Sequence, residues 1–128
     1  MANSAGYHES ENKLRPETLD NHRALTSMQE ELEAADWYDQ RVDAATDTGL
    51  KEILAHNRDE EKEHFAMLLE WYRRRDATMA ARLKQYLFTT GSLTAREAGA
   101  ASGGGAAEAS AGSDGSLGIG SLKGGEGL

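Results

Sequence analysis

The sequence has 128 residues, of which 38% are apolar, and it carries a net charge of −8 at neutral pH. A chain of this size builds at most one small domain, and its acidity disfavours nucleic acid or an anionic membrane as a partner and favours cations. Because cysteine is absent, the chain forms neither a disulfide nor a thiolate metal site. The sequence shows no membrane-spanning run and no secretory signal, which predicts a soluble, cytoplasmic protein.

The first predicted helix begins at about Pro16, where the missing N–H of proline is no loss, and ends near Ala45. Its apolar residues recur at steps of three and four, which is the period of an amphipathic helix. One carboxylate, Glu31, interrupts this stripe. The stripe consists of Ala24, Met28, Glu31, Ala35, Tyr38 and Val42.

A second helix is predicted from Thr48 to Arg75, after a short connection in which Asp47 is expected to act as N-cap. A connection this short makes the two helices antiparallel neighbours. A third, shorter helix is predicted from about Ala77 to Phe88, and the sequence leaves open whether it packs on the hairpin or on a neighbouring chain. The stripe of the second helix consists of Leu50, Leu54, Asn57, Glu61, His64, Leu68 and Trp71.

The composition changes near Gly91, since 12 of the 14 glycines lie from that residue onward. We therefore predict a helical domain over residues 1–92, a flexible Gly/Ala/Ser linker over residues 93–115, and a disordered tail. The final segment, residues 116–128, contains three large aliphatic residues and is predicted to be a docking peptide, with a functionless frayed terminus as the alternative. These three residues are Leu117, Ile119 and Leu122.

The polar centre of the second stripe is formed by Glu61 and His64, which lie three residues apart and share one face of the helix. Burying a carboxylate and an imidazole without partners costs several kcal/mol, and a metal ion compensates both at once. A lone Glu-x-x-His is a weak signal that often marks only a solvated helix face. The third carboxylate on the neighbouring stripe, Glu31, favours a metal site.

Two amphipathic helices shield only one side of each other, so self-association is expected. Di-metal sites in four-helix bundles take a Glu from each of two helices and a Glu-x-x-His from each of the other two. This chain supplies half of that set through Glu31, Glu61 and His64. The predicted fold is therefore all-α, with an antiparallel two-helix hairpin and a short C-terminal helix, dimerising into a four-helix bundle around two metal ions.

Several polar and aromatic residues close to these stripes allow two interpretations. Glu30 and Glu33 are either surface charge or an outer cation site that draws ions inward. Trp37 and Tyr38 are expected to pack at an interface, and Tyr38 could also donate a hydrogen bond to a ligating carboxylate. An i,i+4 pair off the stripe is expected to face solvent, namely His56 and Glu60.

Three passages of the sequence resemble the encapsulated ferritins. They run from Met28 to Tyr38, from His56 to His64 and from Gly115 to Lys123. These proteins are the iron-oxidising cargo of encapsulin nanocompartments. A weaker match lies at residues 86–89. The resemblance covers about residues 10–92 and then the tail.

This resemblance implies a ferritin-like ring of ten chains, arranged as five dimers, with a di-iron ferroxidase centre at alternate dimer interfaces. The centre would consist of Glu31, Glu61 and His64. An outer site for calcium or other divalent cations would consist of Glu30 and Glu33. Aromatic residues of the metal-binding interface would be Trp37 and Tyr38. The tail from about residue 116 to residue 123 would bind the inner wall of the encapsulin shell.

The function expected from the residues and the resemblance together is oxidation of Fe²⁺ to Fe³⁺ by O₂, which feeds iron storage inside the shell. A non-catalytic metal-binding or scaffolding cargo is the first alternative. An oxidase that acts on another substrate, such as peroxide, is the second.

Overall fold

The computed structural model describes residues 6–102, and this part of the chain is helical and contains no strand, which confirms the predicted all-α class. After a short 3-10 helix at Glu11–Lys13 come α1 (Pro16–Ala44), α2 (Thr48–Arg75), α3 (Ala77–Tyr86) and α4 (Leu93–Ser102). No helix between residues 6 and 102 combines the length and the apolar character that crossing a bilayer requires. The predicted docking peptide and most of the predicted linker lie outside the described residues.

Helices α1 and α2 pair as an antiparallel hairpin, as the short connection predicts. Two ion pairs between the helices show that they run in opposite directions. Arg58 of α2 pairs with Asp39 of α1, whereas His64, later on α2, pairs with Glu31, earlier on α1. The Oδ2 atom of Asp47 accepts a hydrogen bond of 2.9 Å from the backbone N–H of Leu50. Asp47 therefore caps α2 as expected, because it satisfies one of the free N–H groups of the first turn.

The core of the hairpin is thin. Among the described residues, Ala24 and Met28 are the buried apolar side chains, and both lie on the predicted stripe of α1. Each of two paired helices covers only one side of the other, and many large apolar side chains of the hairpin remain exposed. The exposed set on the hairpin consists of Leu25, Leu32, Trp37, Leu50, Ile53, Met67 and Trp71.

The described chain divides into two compact units, one ending at Arg75 and one starting at Asp76. In the second unit, Asp76 caps α3 by accepting a hydrogen bond of 2.8 Å from the N–H of Met79. Helix α3 ends two residues earlier than predicted. Leu87 is already extended, and Phe88 has a φ of 59°, in the left-handed region that does not continue a right-handed helix.

The first ten residues of the predicted linker are helical in the structure, where they form α4 (Leu93–Ser102). The hydroxyl of Ser92 accepts a hydrogen bond of 3.1 Å from the N–H of Ala95 and so caps the helix. The segment from residue 95 to residue 98 contains two Ala, one Arg and one Glu, which are strong helix formers. The composition of the glycine-rich region as a whole concealed this local preference. The division into residues 1–92, 93–115 and 116–128 otherwise stays a prediction.

The C-terminal end of α2 carries an ion-pair cluster in which two guanidinium groups surround one carboxylate. Arg73 and Arg74 hydrogen-bond to Glu70 at 2.7 and 2.6 Å. These bonds favour the charged carboxylate and lower the pKa of Glu70 to about 2. Basic side chains here also interact favourably with the negative end of the helix dipole.

This cluster predicts a specific acid dependence of stability. Because the pKa of Glu70 is lower in the folded than in the unfolded protein, its contribution is fully present above the ordinary Glu pKa of about 4.5 and is lost as the pH falls toward 2. We expect wild type to melt slightly above Glu70→Gln at pH 7, with the difference shrinking below pH ~4.5. Thermal melts followed by circular dichroism measure this, and a Tm difference that stays constant down to the lowest pH would contradict it.

Candidate metal centre

The structure brings together the three residues that the stripes predict as metal ligands. Glu31 reaches across from α1, while Glu61 and His64 lie one turn apart on α2. His64 Nδ1 is 3.3 Å from Glu61 Oε1 and 3.4 Å from Glu31 Oε1. Within residues 6–102 these three form the one group whose ligand atoms all lie within 4.8 Å of one another.

The spacing and chemistry of these donor atoms fit a divalent cation. Two atoms bound to one ion at about 2.1 Å, with angles between octahedral and tetrahedral, lie roughly 3.0–3.4 Å apart. The two contacts to His64 Nδ1 lie at the upper end of that range. Two carboxylates and an imidazole also form a donor set that suits iron, manganese or zinc. A small inward movement of the side chains would therefore complete three bonds to one ion.

The close contacts within the cluster shift the pKa values of Glu31 and His64. A hydrogen bond with Glu61 raises the pKa of Glu31, burial and repulsion from Glu61 add to this, and His64 partly offsets it. Burial alone would lower the pKa of His64, but its hydrogen bonds with Glu61 and Glu31 outweigh burial and raise it. A bound divalent cation would stabilise both carboxylates in the ionised form.

Two of the three ligands, Glu31 and His64, lie at one end of an open groove along the hairpin, with a volume of about 630 Å³. The side chains of Glu31 and Glu61 are 24% and 21% exposed, and that of His64 is 42% exposed. The ligands are thus half-covered by their own chain and open on the side of the groove. The remaining wall of the groove is largely apolar and includes Ala24, Met67, Leu68 and Trp71.

The residues predicted for the outer cation site and the interface occupy exposed or half-exposed positions on α1. Glu30 and Glu33 are exposed and lie outside the cluster of three ligands. The Arg41 guanidinium lies 6.0 Å from the ring centroid of Trp37 and 5.3 Å from that of Tyr38, in cation–π contact with both. Roles for these four predicted residues in the metal site stay predictions.

Glu60 contacts His64 of the centre, although the sequence pattern predicts that Glu60 faces solvent. Glu60 Oε1 lies 3.8 Å from His64 Nε2, and its Oε2 lies 3.7 Å from His56 Nε2. Both nitrogens of His64 therefore face carboxylates, and Glu60 lies on the side where the carboxylate partner of a metal-binding histidine is often found. The i,i+4 spacing from Glu60 to His64 was a visible signal, but the off-stripe position of Glu60 outweighed it.

A protein-family model described as EncFtn-like matches residues 6–90 of this chain. The chain belongs to the EncFtn-like family. The three candidate ligands and the whole α1–α2 hairpin lie inside the matched region, so the EncFtn-like assignment covers the fold and the site together. The resemblance to encapsulated ferritins and the ferritin-like fold are confirmed by this match.

Two relatives and one solved structure agree with the EncFtn-like assignment. An encapsulated ferritin-like protein of Rhodospirillum rubrum is 63% identical over 122 residues, which cover 91% of this chain and 87% of that protein. A ferritin-like protein of Thermotoga maritima is 49% identical over 88 residues, covering 69% and 77%. The crystal structure of a protein from Nitrosomonas europaea is 59% identical, with a TM-score of 0.67, and the match covers 69% of this chain and 97% of that one.

Proposed function

We propose that this protein is a ferroxidase that oxidises Fe²⁺ to Fe³⁺ with O₂ at a di-iron site shared by two subunits. The observation that carries this proposal is the convergence of Glu31, Glu61 and His64, whose ligand atoms lie within 4.8 Å of one another in a ferritin-like chain. Each chain supplies one imidazole and two carboxylates. A second copy would double this set into the ligands of two ions.

The architecture supports a dimer as the active unit. Glu31 lies near the middle of α1 and Glu61 near the middle of α2, so a two-fold axis at the cluster lets two hairpins overlap along their whole length. The exposed apolar side chains of the hairpin, including Met67 and Trp71 beside the groove, would then become buried. Such burial is the main driving force of homodimer formation. A ring of ten chains, built from five such dimers, is part of the proposal.

The reaction balances as 4 Fe²⁺ + O₂ + 4 H⁺ → 4 Fe³⁺ + 2 H₂O. Each Fe²⁺ substrate loses one electron, and the four electrons and four protons reduce one O₂ to water. The carboxylates of Glu31 and Glu61 hold two cations at close range, and their negative charge stabilises the ferric product more than the ferrous substrate. The His64 of each chain would supply a neutral donor to one of the two ions.

The outer parts of the chain are assigned on the resemblance. Glu30 and Glu33 would bind calcium or other divalent cations ahead of oxidation, and Trp37 and Tyr38 would line the metal-binding interface. Residues 116–128 would dock to the inner wall of an encapsulin shell in the cytoplasm, where the oxidised iron is stored. The 63% identity to a relative named as an encapsulated ferritin-like protein supports this location.

Oxygen consumption distinguishes the proposed ferroxidase from a non-catalytic metal-binding or scaffolding cargo. We expect the purified protein to consume O₂ on addition of Fe²⁺ well above the rate in buffer, with four Fe²⁺ oxidised per O₂. Native mass spectrometry of the same sample, with and without Fe²⁺, is expected to show even-numbered oligomers that gain two iron atoms per dimer. A rate equal to buffer would favour the scaffold, and tight iron binding by a monomer would rule out the shared site.

A further inference from the structure

Arg58 provides an ion pair across the hairpin, one helical turn before the metal-binding pair of α2. Its Nη1 lies 3.0 Å from Asp39 Oδ1 on α1, and its Nε lies 3.0 Å from Asp59 Oδ1 on its own helix. The Arg58 side chain is only 23% exposed, whereas both aspartates are more than 60% exposed. Arg58 therefore lies along the hairpin with its guanidinium held at two points.

The three ligands meet only when α1 and α2 are held in one register, that is, at one position along each other. Glu61 and His64 stay together through their own helix, but Glu31 reaches them only if the two helices keep one register. The buried apolar side chains of the hairpin are Ala24 and Met28, both on α1, and a small methyl and a flexible thioether specify register weakly. One directional hydrogen bond, from Arg58 Nη1 to Asp39 Oδ1, joins the two helices, and the bond to Asp59 on the same helix orients the guanidinium for it. A planar guanidinium held in this way specifies position more strongly.

We propose that Arg58, through Asp39, is a positioning residue that holds α1 in the register at which Glu31 meets Glu61 and His64. This inference rests on the proposed metal site and deepens it. The Arg58–Asp39 pair lies three residues from Glu61 on α2 and eight residues from Glu31 on α1, close enough for a sliding movement to be shared by the pair and the site. Without this ion pair the hairpins would stay folded, but only a fraction of the molecules would have all three ligands in place. The apparent metal affinity would fall in proportion to that fraction.

The positioning role predicts that loss of Arg58 weakens metal binding, whereas electrostatic repulsion alone predicts that it strengthens metal binding. Arg58 is a positive charge near a cation site, so its removal should tighten cation binding if charge alone matters. Lys62 is a matched control, because it lies beside Glu61 and contacts Asp59 within the same helix at 3.9 Å. Lys62→Met removes the same charge at a similar place without touching a contact between the helices.

The experiment titrates the full-length protein with Co²⁺ and follows the visible absorption of the bound ion, which reports both affinity and coordination geometry without turnover. We expect Arg58→Met to weaken Co²⁺ binding about tenfold, at the lower end of the range for residues that support metal ligands. Lys62→Met should bind as tightly as wild type or slightly more tightly. The exchange variant Asp39→Arg/Arg58→Asp restores an ion pair of reversed direction and should bind within roughly threefold of wild type.

Each outcome decides between named alternatives. Weaker binding by Arg58→Met with recovery in the exchange variant, while helix content by circular dichroism stays unchanged, supports the positioning role. Unchanged or tighter binding by Arg58→Met overturns it and leaves the metal site standing, as does an exchange variant no better than Arg58→Met. Absence of Co²⁺ binding by wild type overturns the metal site itself, and the positioning role with it.

Discussion

Replacing Glu31 with alanine is expected to abolish rapid oxidation of Fe²⁺ while the protein stays helical. Glu31 is the one ligand that α1 contributes, and in a dimer its loss removes two of six ligands. The initial rate should therefore fall by more than the roughly 10- to 100-fold that follows loss of a residue supporting a ligand. The measurement is stopped-flow absorbance of Fe³⁺ formation at saturating O₂, normalised to the concentration of dimers.

The stability of the same variant separates a metal ligand from a structural residue. A hydrogen bond with Glu61, burial and repulsion from Glu61 raise the pKa of Glu31, so ionised Glu31 carries a cost when no metal ion is bound. We expect Glu31→Ala without metal to melt no lower than wild type, because removal of a repelling carboxylate offsets the lost packing. Glu52→Ala is the control, since it removes an exposed carboxylate of α2 away from the cluster. Equal rates for Glu31→Ala and Glu52→Ala would exclude Glu31 from the site.

Deletion of residues 116–128 is expected to leave iron oxidation at the wild-type rate and to eliminate co-purification with a co-expressed encapsulin shell protein. Short docking peptides bind through a few apolar anchors. In this segment the apolar anchors are Leu117, Ile119 and Leu122. The measurement is the ratio of the chain to the shell protein in assembled shells, isolated by size and quantified by mass spectrometry.

A triple substitution refines this second prediction. Serine at all three aliphatic positions should reduce encapsulation as much as the deletion does, because the apolar contacts would be lost while the length of the tail is kept. Asp114→Ser, in the predicted linker, is the matched control and should be encapsulated like wild type. Loading that persists after the deletion would show that another part of the chain, or chance enclosure, brings the protein into the shell.

The local features of the hairpin were predictable because each depends on neighbours in sequence. Helix α2 has the predicted limits, Thr48–Arg75, and Asp47 caps it as expected. The pairing of Glu61 with His64 follows from the i,i+3 spacing of any α-helix. The sequence alone failed at Leu87, where an extended residue ends α3 early, and at Leu93–Ser102, where local helix preference prevails over the composition of the whole region.

By itself the sequence determined an all-α chain, the two amphipathic stripes and the interruption of both stripes by ligand-type residues, because helix periodicity and residue chemistry are local properties. The tertiary structure decided that Glu31 lies 3.4 Å from His64, that Glu60 faces the other nitrogen of His64, and that Arg58 joins α2 to Asp39. These contacts depend on the rotation and register of one helix against the other. Apolar side chains that recur at every turn of both helices allow several registers, and only the folded hairpin shows which one is adopted.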